Sequence, residues 1–237
     1  IVQNAYAINQ GRYPALESVS ESPATDCLWL GAPESEDGVR SIEAIVQELM
    51  PALGFNPVKD MQVLCPMTRG AVGTRNLNQV LQRVLNPPAP EKGEIGRGGL
   101  ILRVGDRVIQ RVNDYNREVF NGDLGTIMGV DLEEQEVTVL FDERHVTYDR
   151  ADLNEITLAW AVTIHKSQGS EYPAVIMPMY MQHYLMLSRN LLYTGLTRAK
   201  KLAILVGPKK AIGLAVRQVK AQERYTRLSQ RLSGNVG

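Results

Sequence analysis

The sequence predicts an α/β protein: a mostly parallel sheet with helices on its faces, interrupted by a small β-rich insertion. Three observations carry this. Strand-like and helix-like segments alternate over residues 1–96 and again over 151–237, the pattern of parallel strands joined by crossover helices. Helical periodicity is lost over residues 97–150. A Pro/Gly-rich junction, Pro87 to Gly99, leads into that stretch.

Each element follows from its pattern. Ile1, Ala5 and Ile8 mark the middle of a helix that stops at Gly11. Few natural chains open this way, so we expect a piece of a longer polypeptide. Asp26–Leu30 reads as a short buried strand, followed by a Gly/Pro/acid loop. Ile42, Ile45, Val46, Leu49 and Leu53 give a helix over Ser41–Leu53. Met61–Pro66 is strand-like, and Leu77, Val80, Leu81, Val84 and Leu85 form a helix ending at Asn86-Pro-Pro. In the insertion, Val104–Val112 and Val137–Phe141 are β-rich, and Asn121-Gly122-Asp123 with Gly125 supplies tight-turn chemistry. Beyond it, Leu158–Ile164, Ala174–Met179 and Leu202–Val206 read as strands. Asn190–Lys200 reads as a helix, and Ile212–Leu232 as an amphipathic helix. The domains expected are 1–96 plus 151–237, discontinuous, and 97–150 inserted.

Bulk chemistry narrows the classes. Net charge is zero, which argues against a chain-wide electrostatic grip on a polyanion. The distribution is uneven: nine acids face three bases across residues 1–60, and ten bases face one acid, Glu223, across 198–237. Such asymmetry suits a polyanion on one face, or simply a solvated helix face. No apolar run approaches the ~20 residues of a membrane helix. Cys27 and Cys65 lie far apart in strand-like runs and read as buried free thiols of a reducing, cytoplasmic compartment. His145 and His183 have no partners at metal-ligand spacing, so no metal site is assigned.

Two segments imitate nucleotide motifs. Gly70-Ala-Val-Gly73-Thr-Arg75 lies where phosphate loops occur, but it lacks the Gly-Lys-Ser/Thr that grips β/γ-phosphates and magnesium. It retains only the general affinity of a helix N-terminus for anions. Val137-Thr-Val-Leu-Phe-Asp142-Glu143 looks like an acidic magnesium strand, yet a hairpin turn explains it better.

The chemistry-bearing segments lie later. After the strand Leu158–Ile164, Thr163, His165, Lys166, Ser167 and Gln168 place hydroxyl, imidazole, ammonium and amide groups at the mouth of a sheet before Gly169 turns the chain. Ligands of α/β folds sit there, and such donors suit a phosphodiester backbone without reading bases. Downstream, a helix capped by Ser188 buries Leu192, Leu196 and Ala199 and leaves Asn190, Thr194, Thr197 and Arg198 on another face. An arginine held there suits the charge that develops on a transferring phosphoryl group. Taken alone, a polar loop with a satisfied histidine explains the first group better, and a surface arginine at a basic helix end, favoured by the helix dipole, is the alternative for the second.

Together the two segments resemble superfamily-1 helicases. Thr163-x-His165-x-x-x-Gly169-x-Glu171 is similar to their motif V, and Tyr193-x-x-Leu196-Thr-Arg198-Ala to their motif VI. The His165-Lys-Ser-Gln-Gly169 form is that of the 5′-to-3′ branch with Pif1-like and RecD-like enzymes. Leu64-Cys-Pro-Met-x-Arg69-Gly-x-x-Gly-Thr74 with Leu77-Asn78, Gly105-Asp-Arg-Val108, Asn113-Asp-Tyr115 and Phe120-Asn-Gly-Asp-x-Gly125 narrow it to the RecD/TraA group.

The resemblance implies a RecA-like second motor domain with an inserted SH3-like barrel. It implies an ATP-dependent 5′-to-3′ DNA helicase whose P-loop and acidic magnesium motif lie upstream, so that this chain alone is inactive. Arg198 would be the arginine finger, with Gly169 and Glu171 beside the nucleotide. Thr163, His165, Lys166, Ser167, Gln168, Arg69 and Tyr115 would meet single-stranded DNA. ATP and Mg²⁺ would be bound mainly by the other lobe, and RecB/RecC-like subunits are possible partners. Tyr115, Phe120 and Arg117 suit either base stacking or hairpin packing. The competing readings are a nucleic-acid-binding module without motor action and a structural subunit of an exonuclease V-type assembly.

Overall fold

The structure, a computed structural model, describes residues 1–19 and 23–219. Its centre is a six-stranded sheet in the order β1-β2-β13-β12-β3-β11. These strands are β1 (Glu17–Ser18), β2 (Cys27–Leu30), β3 (Met61–Cys65), β11 (Ala161–Thr163), β12 (Tyr172–Pro178) and β13 (Ala199–Val206), and every neighbouring pair is parallel. The sheet is buried on both faces, which is why β3, β12 and most of β13 are nearly continuous apolar runs rather than alternating ones.

Successive side chains of each strand enter two different cores. Met61, Val63, Cys65, Leu202, Ile204 and Val206 meet Ile42, Val46, Leu77 and Leu81 of α2 (Ser35–Ala44), its continuation and α4 (Thr74–Leu85). Leu64, Val175, Met177, Ala203 and Leu205 meet Ile8, Leu192, Leu196, Ile212 and Val216. These last come from α1 (Val2–Asn9), α5 (Arg189–Leu196) and α6 (Lys209–Arg217).

The insertion is antiparallel. Its five-stranded sheet has the order β10-β6-β7-β8-β9, with β6 (Arg107–Gln110), β7 (Leu124–Asp131), β8 (Glu136–Phe141), β9 (Arg144–Tyr148) and β10 (Ile156–Leu158). A separate hairpin, β4 (Glu94–Arg97) with β5 (Leu100–Arg103), adjoins it. Its apolar residues Val108, Ile127, Val139, Phe141 and Tyr148 continue the core shared with α4.

Several expectations are corrected. Leu158–Ile164 is not one strand. Ile156–Leu158 pairs antiparallel with β6, and Ala161–Thr163 pairs parallel with β3, so the chain passes from one sheet to the other at Ala159-Trp160. Antiparallel pairing therefore runs from Glu94 to Leu158, wider at both ends than 97–150. The helix expected over Asn190–Lys200 ends at Leu196, because Ala199 and Lys200 already belong to β13. The helix expected from Ser41 begins at Ser35, passes through a π-helical stretch, Ile45–Leu49, and ends in α3 (Met50–Ala52). Glu36 and Asp37 in its first turn favour the helix dipole. Of the helix expected over Ile212–Leu232, only the part to Arg217 is seen; from residue 220 on it lies outside the described residues.

Candidate nucleic-acid interface

Thr163 ends β11 and caps the short 3₁₀ turn Ile164–Ser167, its hydroxyl accepting from the Lys166 N–H at 3.4 Å. That turn throws His165 and Lys166 outward and Ser167 inward. Ser167 is fully buried, and its hydroxyl donates to the Ile164 carbonyl at 2.8 Å. This hydroxyl holds the turn, and it faces inward rather than into a cleft.

Thr163 and Lys166 open onto a cleft of about 580 Å³ between the parallel sheet's edge and the insertion. One wall is the start of α4, with Thr74, Arg75, Asn78 and Gln79; the other is Ile109, Arg111 and Thr157. Burial, and then the neighbouring Arg111 charge, hold the Lys166 ammonium below its ordinary pKa. An anion between the two cations would relieve that repulsion. A second cleft of about 400 Å³ lies between His165, Lys166, Gln168 and Ser170 on one side and Asn121-Gly122-Asp123 on the other.

Sequence reasoning passed over Arg75 and Arg111. The signal for Arg75 was the Gly70–Thr74 loop, but its use differs from expectation. The N–H groups of Thr74 and Arg75 donate to the Met67 and Thr68 carbonyls, each at 3.1 Å, so the first two N–H groups of the helix are already engaged. Gly73 makes this loop possible, since a Cβ there would lie 2.3 Å from the Arg69 carbonyl oxygen. Arg111 carried no signal beyond its charge.

Arg69 and Tyr115 line neither cleft. Arg69 is exposed on the loop after β3. Tyr115 is 75% exposed at the tip of the insertion, edge-to-face against Phe120 at 5.9 Å. Arg117 is engaged within the protein. It pairs with Asp114, Asp152 and Glu155 and lies over the Tyr148 ring, so it supports the insertion and is not a free grip for bases.

Glu171 and Arg198 sit elsewhere. The register places them just before the first residues of β12 and β13, the edge opposite the end of β11. Arg198 follows the end of α5, whose cap is Ser188 Oγ accepting from the Leu191 N–H. Its guanidinium donates to the Thr194 carbonyl (3.2 Å), the Ser170 carbonyl (3.1 Å) and Thr197 Oγ1 (3.3 Å), and its own carbonyl accepts from Tyr172 N–H at 2.8 Å. Glu171 pairs with Lys200 at 3.1 Å, both carboxylate and ammonium more than half exposed. Gly169, at φ +90°, is the turn that brings the chain from one edge toward the other. The five N–H groups of Arg198 exceed its three bonds, so donors remain for an anion.

A parallel sheet bearing motif V at one strand end, motif VI ahead of another, and an antiparallel insertion define the second motor domain of a superfamily-1 helicase. Residues 77–141 match the family described as the ATP-dependent RecD-like DNA helicase SH3 domain, and residues 158–206 the UvrD-like helicase C-terminal domain. The chain belongs to the RecD-like helicases. It is 35% identical to the ATP-dependent RecD2 DNA helicase of Deinococcus radiodurans, over 98% of this chain and 30% of that protein. It is 30% identical to the RecBCD enzyme subunit RecD of Haemophilus influenzae, over 84% of this chain and 28% of that protein. The chain thus spans less than a third of the length of these relatives.

The fold is also that of solved Pif1 helicases. One structure of two coordinating Pif1 helicases at forked double-stranded DNA matches with a TM-score of 0.52 and 18% identity, over 99% of this chain and 52% of that one. A Bacteroides Pif1 in complex with ADP-AlF3 and single-stranded DNA matches with a TM-score of 0.52 and 16% identity, over 99% and 54%.

Among the described residues no helix is long and apolar enough to cross a membrane.

Proposed function

We propose that this chain is the DNA-gripping and nucleotide-sensing lobe of an ATP-driven 5′-to-3′ helicase of the RecD type. The observation that carries the reading is the cleft in which Lys166 and Arg111 face one space together with Arg75, Thr74 and Thr163. Three cations and two hydroxyls, at the junction of motif V and the insertion, suit the backbone of single-stranded DNA and read no base sequence. His165 and Gln168 extend the grip into the adjoining cleft, where the phosphodiester chain continues past Asn121-Gly122. Tyr115 is assigned a peripheral stacking role at most, and Arg69 a rim contact.

Nucleotide chemistry belongs to the other edge. ATP would lie between that edge and a second lobe carrying the phosphate loop, which would also hold the Mg²⁺. Arg198 supplies a cation to the γ-phosphate, and Glu171, released from Lys200, a carboxylate to the ribose, with Gly169 leaving room beside them. Without that second lobe the chain does not turn over ATP. Its two hydrogen-bonded junctions, Arg198 to Ser170 and Tyr172 to Arg198, link the nucleotide edge to the turn that faces DNA.

The test is binding of fluorescent single-stranded oligonucleotides across salt concentrations. Each phosphate neutralised on a single strand contributes about −0.7 to the slope of log K against log salt. Lys166→Ala and Arg75→Ala should each flatten the slope by about that amount, equally for homopolymer and mixed sequences. Unchanged slopes in both variants, or a strong preference for one base sequence, would remove the cleft as the DNA site.

A further inference from the structure

The helix α4 carries its polar residues in an unusual place. Asn78, Gln82 and Asn86 recur every fourth residue, so they form one stripe along the helix, and all three are more than nine-tenths buried. A buried amide stripe costs desolvation unless every group is bonded, and here the bonds run to specific places. Asn78 acts as a surrogate strand for β11. Its Nδ2 donates to the Ala161 carbonyl and its Oδ1 accepts from the Ala161 N–H, both at 2.8 Å. Gln82 donates to the Ile101 carbonyl at 2.9 Å and to Asp106 Oδ2 at 2.5 Å. Asn86 donates to Asp106 Oδ1 at 2.8 Å and to the Val104 carbonyl at 3.1 Å.

Asp106 is the receiving group in the insertion. It is fully buried and also accepts the Arg103 N–H at 2.8 Å. The next residue repeats the device toward the sheet. Arg107 donates to the Met61 carbonyl at 2.9 Å and to Gln62 Oε1 at 2.8 Å. Gln62 in turn donates to the Ala159 and Trp160 carbonyls at 3.1 and 2.9 Å, the two residues where the chain crosses between sheets.

Buried polar joints of this kind add little net stability over apolar packing. They differ in being directional, so they fix one relative position where an apolar seam would allow sliding. Both joined parts are walls of the cleft. Arg111 lies four residues beyond Arg107, and Arg75 three residues before Asn78. We propose that the stripe Asn78–Gln82–Asn86, with Gln82 and Asn86 locked onto Asp106 and Asn78 onto Ala161, is a positioning device that sets the width of the nucleic-acid cleft by holding the Arg111 wall at a fixed distance from the Arg75 and Lys166 wall. This rests on the reading of that cleft as the single-stranded DNA site. None of the four residues needs to touch the DNA phosphates; each acts through the cations it holds in place.

The test exchanges donor and acceptor in the joint. Asp106→Asn opposes an amide to the Asn86 amide and weakens the lock without removing a cation from the cleft. The pair Asp106→Asn with Asn86→Asp restores a donor–acceptor bond of reversed sense at unchanged net charge. Anisotropy with labelled oligothymidine is measured on the protein, these two variants and the wall variant Arg111→Ala, with thermal melts alongside. Arg111→Ala should flatten the salt slope by about 0.7. Asp106→Asn should weaken binding about tenfold, and the exchanged pair should recover to within about threefold of the parent.

If Arg111→Ala binds as the parent does, the cleft reading fails, and the proposal with it. If Arg111→Ala weakens binding while folded Asp106→Asn does not, the positioning role alone is overturned. A lower melting temperature with unchanged affinity would have the same meaning, showing a purely structural joint. Should Asp106→Asn not fold, Gln82→Met takes its place. It removes one bond to Asp106 and one to Ile101, and a folded Gln82→Met with parental affinity overturns the proposal.

Discussion

His183 shows what burial does to a single group. It is 1% exposed at the end of the Met177–His183 segment, and its Nδ1 has no hydrogen-bond partner. Desolvation pushes its pKa down from 6.5 to about 4. The folded value lies below the unfolded one, so as pH falls the unfolded chain takes up a proton first. This contribution to stability is full above pH about 6.5, is lost progressively down to about 4, and changes no further below that. A gap of that size corresponds to roughly 3 kcal/mol. Urea unfolding at pH 7 and pH 4.5 should show His183→Leu losing less stability on acidification than the parent; equal losses would dissociate His183 from the acid limb. Glu171 illustrates the opposite case. Its pair with Lys200 is solvent-exposed, and such pairs contribute at most about 1 kcal/mol. Opening it would cost little, which is compatible with the ribose contact proposed for this carboxylate.

Among the elements, α2 depends on a residue that usually weakens helices. Gly38 lies buried inside it, and a Cβ there would fall 2.1 Å from the Tyr180 hydroxyl. Gly38→Ala should therefore destabilise the protein by about 1–3 kcal/mol through overpacking, despite the better helix propensity of alanine. Replacing Tyr180 by leucine in the same chain should return part of the loss, and denaturant midpoints measure both; a stabilised Gly38→Ala would contradict this packing. The same glycine explains why Glu34–Gly38 reads as a loop from sequence alone, since only Tyr180, far along the chain, makes glycine the fitting residue. Alternation of apolar runs was enough to indicate the parallel sheet, α4 and the segments carrying motifs V and VI. It could not locate the crossing at Ala159-Trp160, because two short apolar strands in different sheets have the pattern of one longer strand. Nor could it show that Asn78, Gln82 and Asn86 are buried: four-residue spacing of amides is the usual pattern of a solvated face, and their partners lie in another part of the fold. The motif V residues were legible as a group, whereas the inward turn of Ser167 depends on the 3₁₀ geometry after Thr163.

At the scale of the whole molecule, we propose that the two edges of one sheet divide the labour, with DNA in the cleft beside β11 and the nucleotide at the starts of β12 and β13. On that proposal the two edges must be coupled, and Arg198 bonds to the segment that joins them. Its side chain bonds to the Ser170 carbonyl, and its backbone to Tyr172. A γ-phosphate drawing the guanidinium away from Ser170 would change how the turn from Gln168 to Glu171 is held. In a protein containing both lobes, Arg198→Ala should lower kcat for ATP about 10²-fold or more with a modest change in KM. On the proposed reading, ground-state binding would depend mainly on the phosphate loop of the other lobe, whereas the cation would matter most as charge develops on the transferring phosphoryl group. Arg198→Lys should recover only part of the loss, because an ammonium cannot hold Thr194, Ser170 and a phosphate at once as a planar guanidinium can. Coupling adds a second expectation. Arg198→Ala should leave single-stranded DNA affinity without nucleotide nearly unchanged, yet abolish the difference in affinity between nucleotide-free and ATP-analogue states. Steady-state ATPase assays, DNA anisotropy with and without a non-hydrolysable analogue, and melts of both variants measure this. An Arg198→Ala enzyme that keeps near-parental kcat would place the phosphate-sensing cation elsewhere, and one that loses turnover but keeps the nucleotide-dependent change in DNA affinity would separate sensing from coupling.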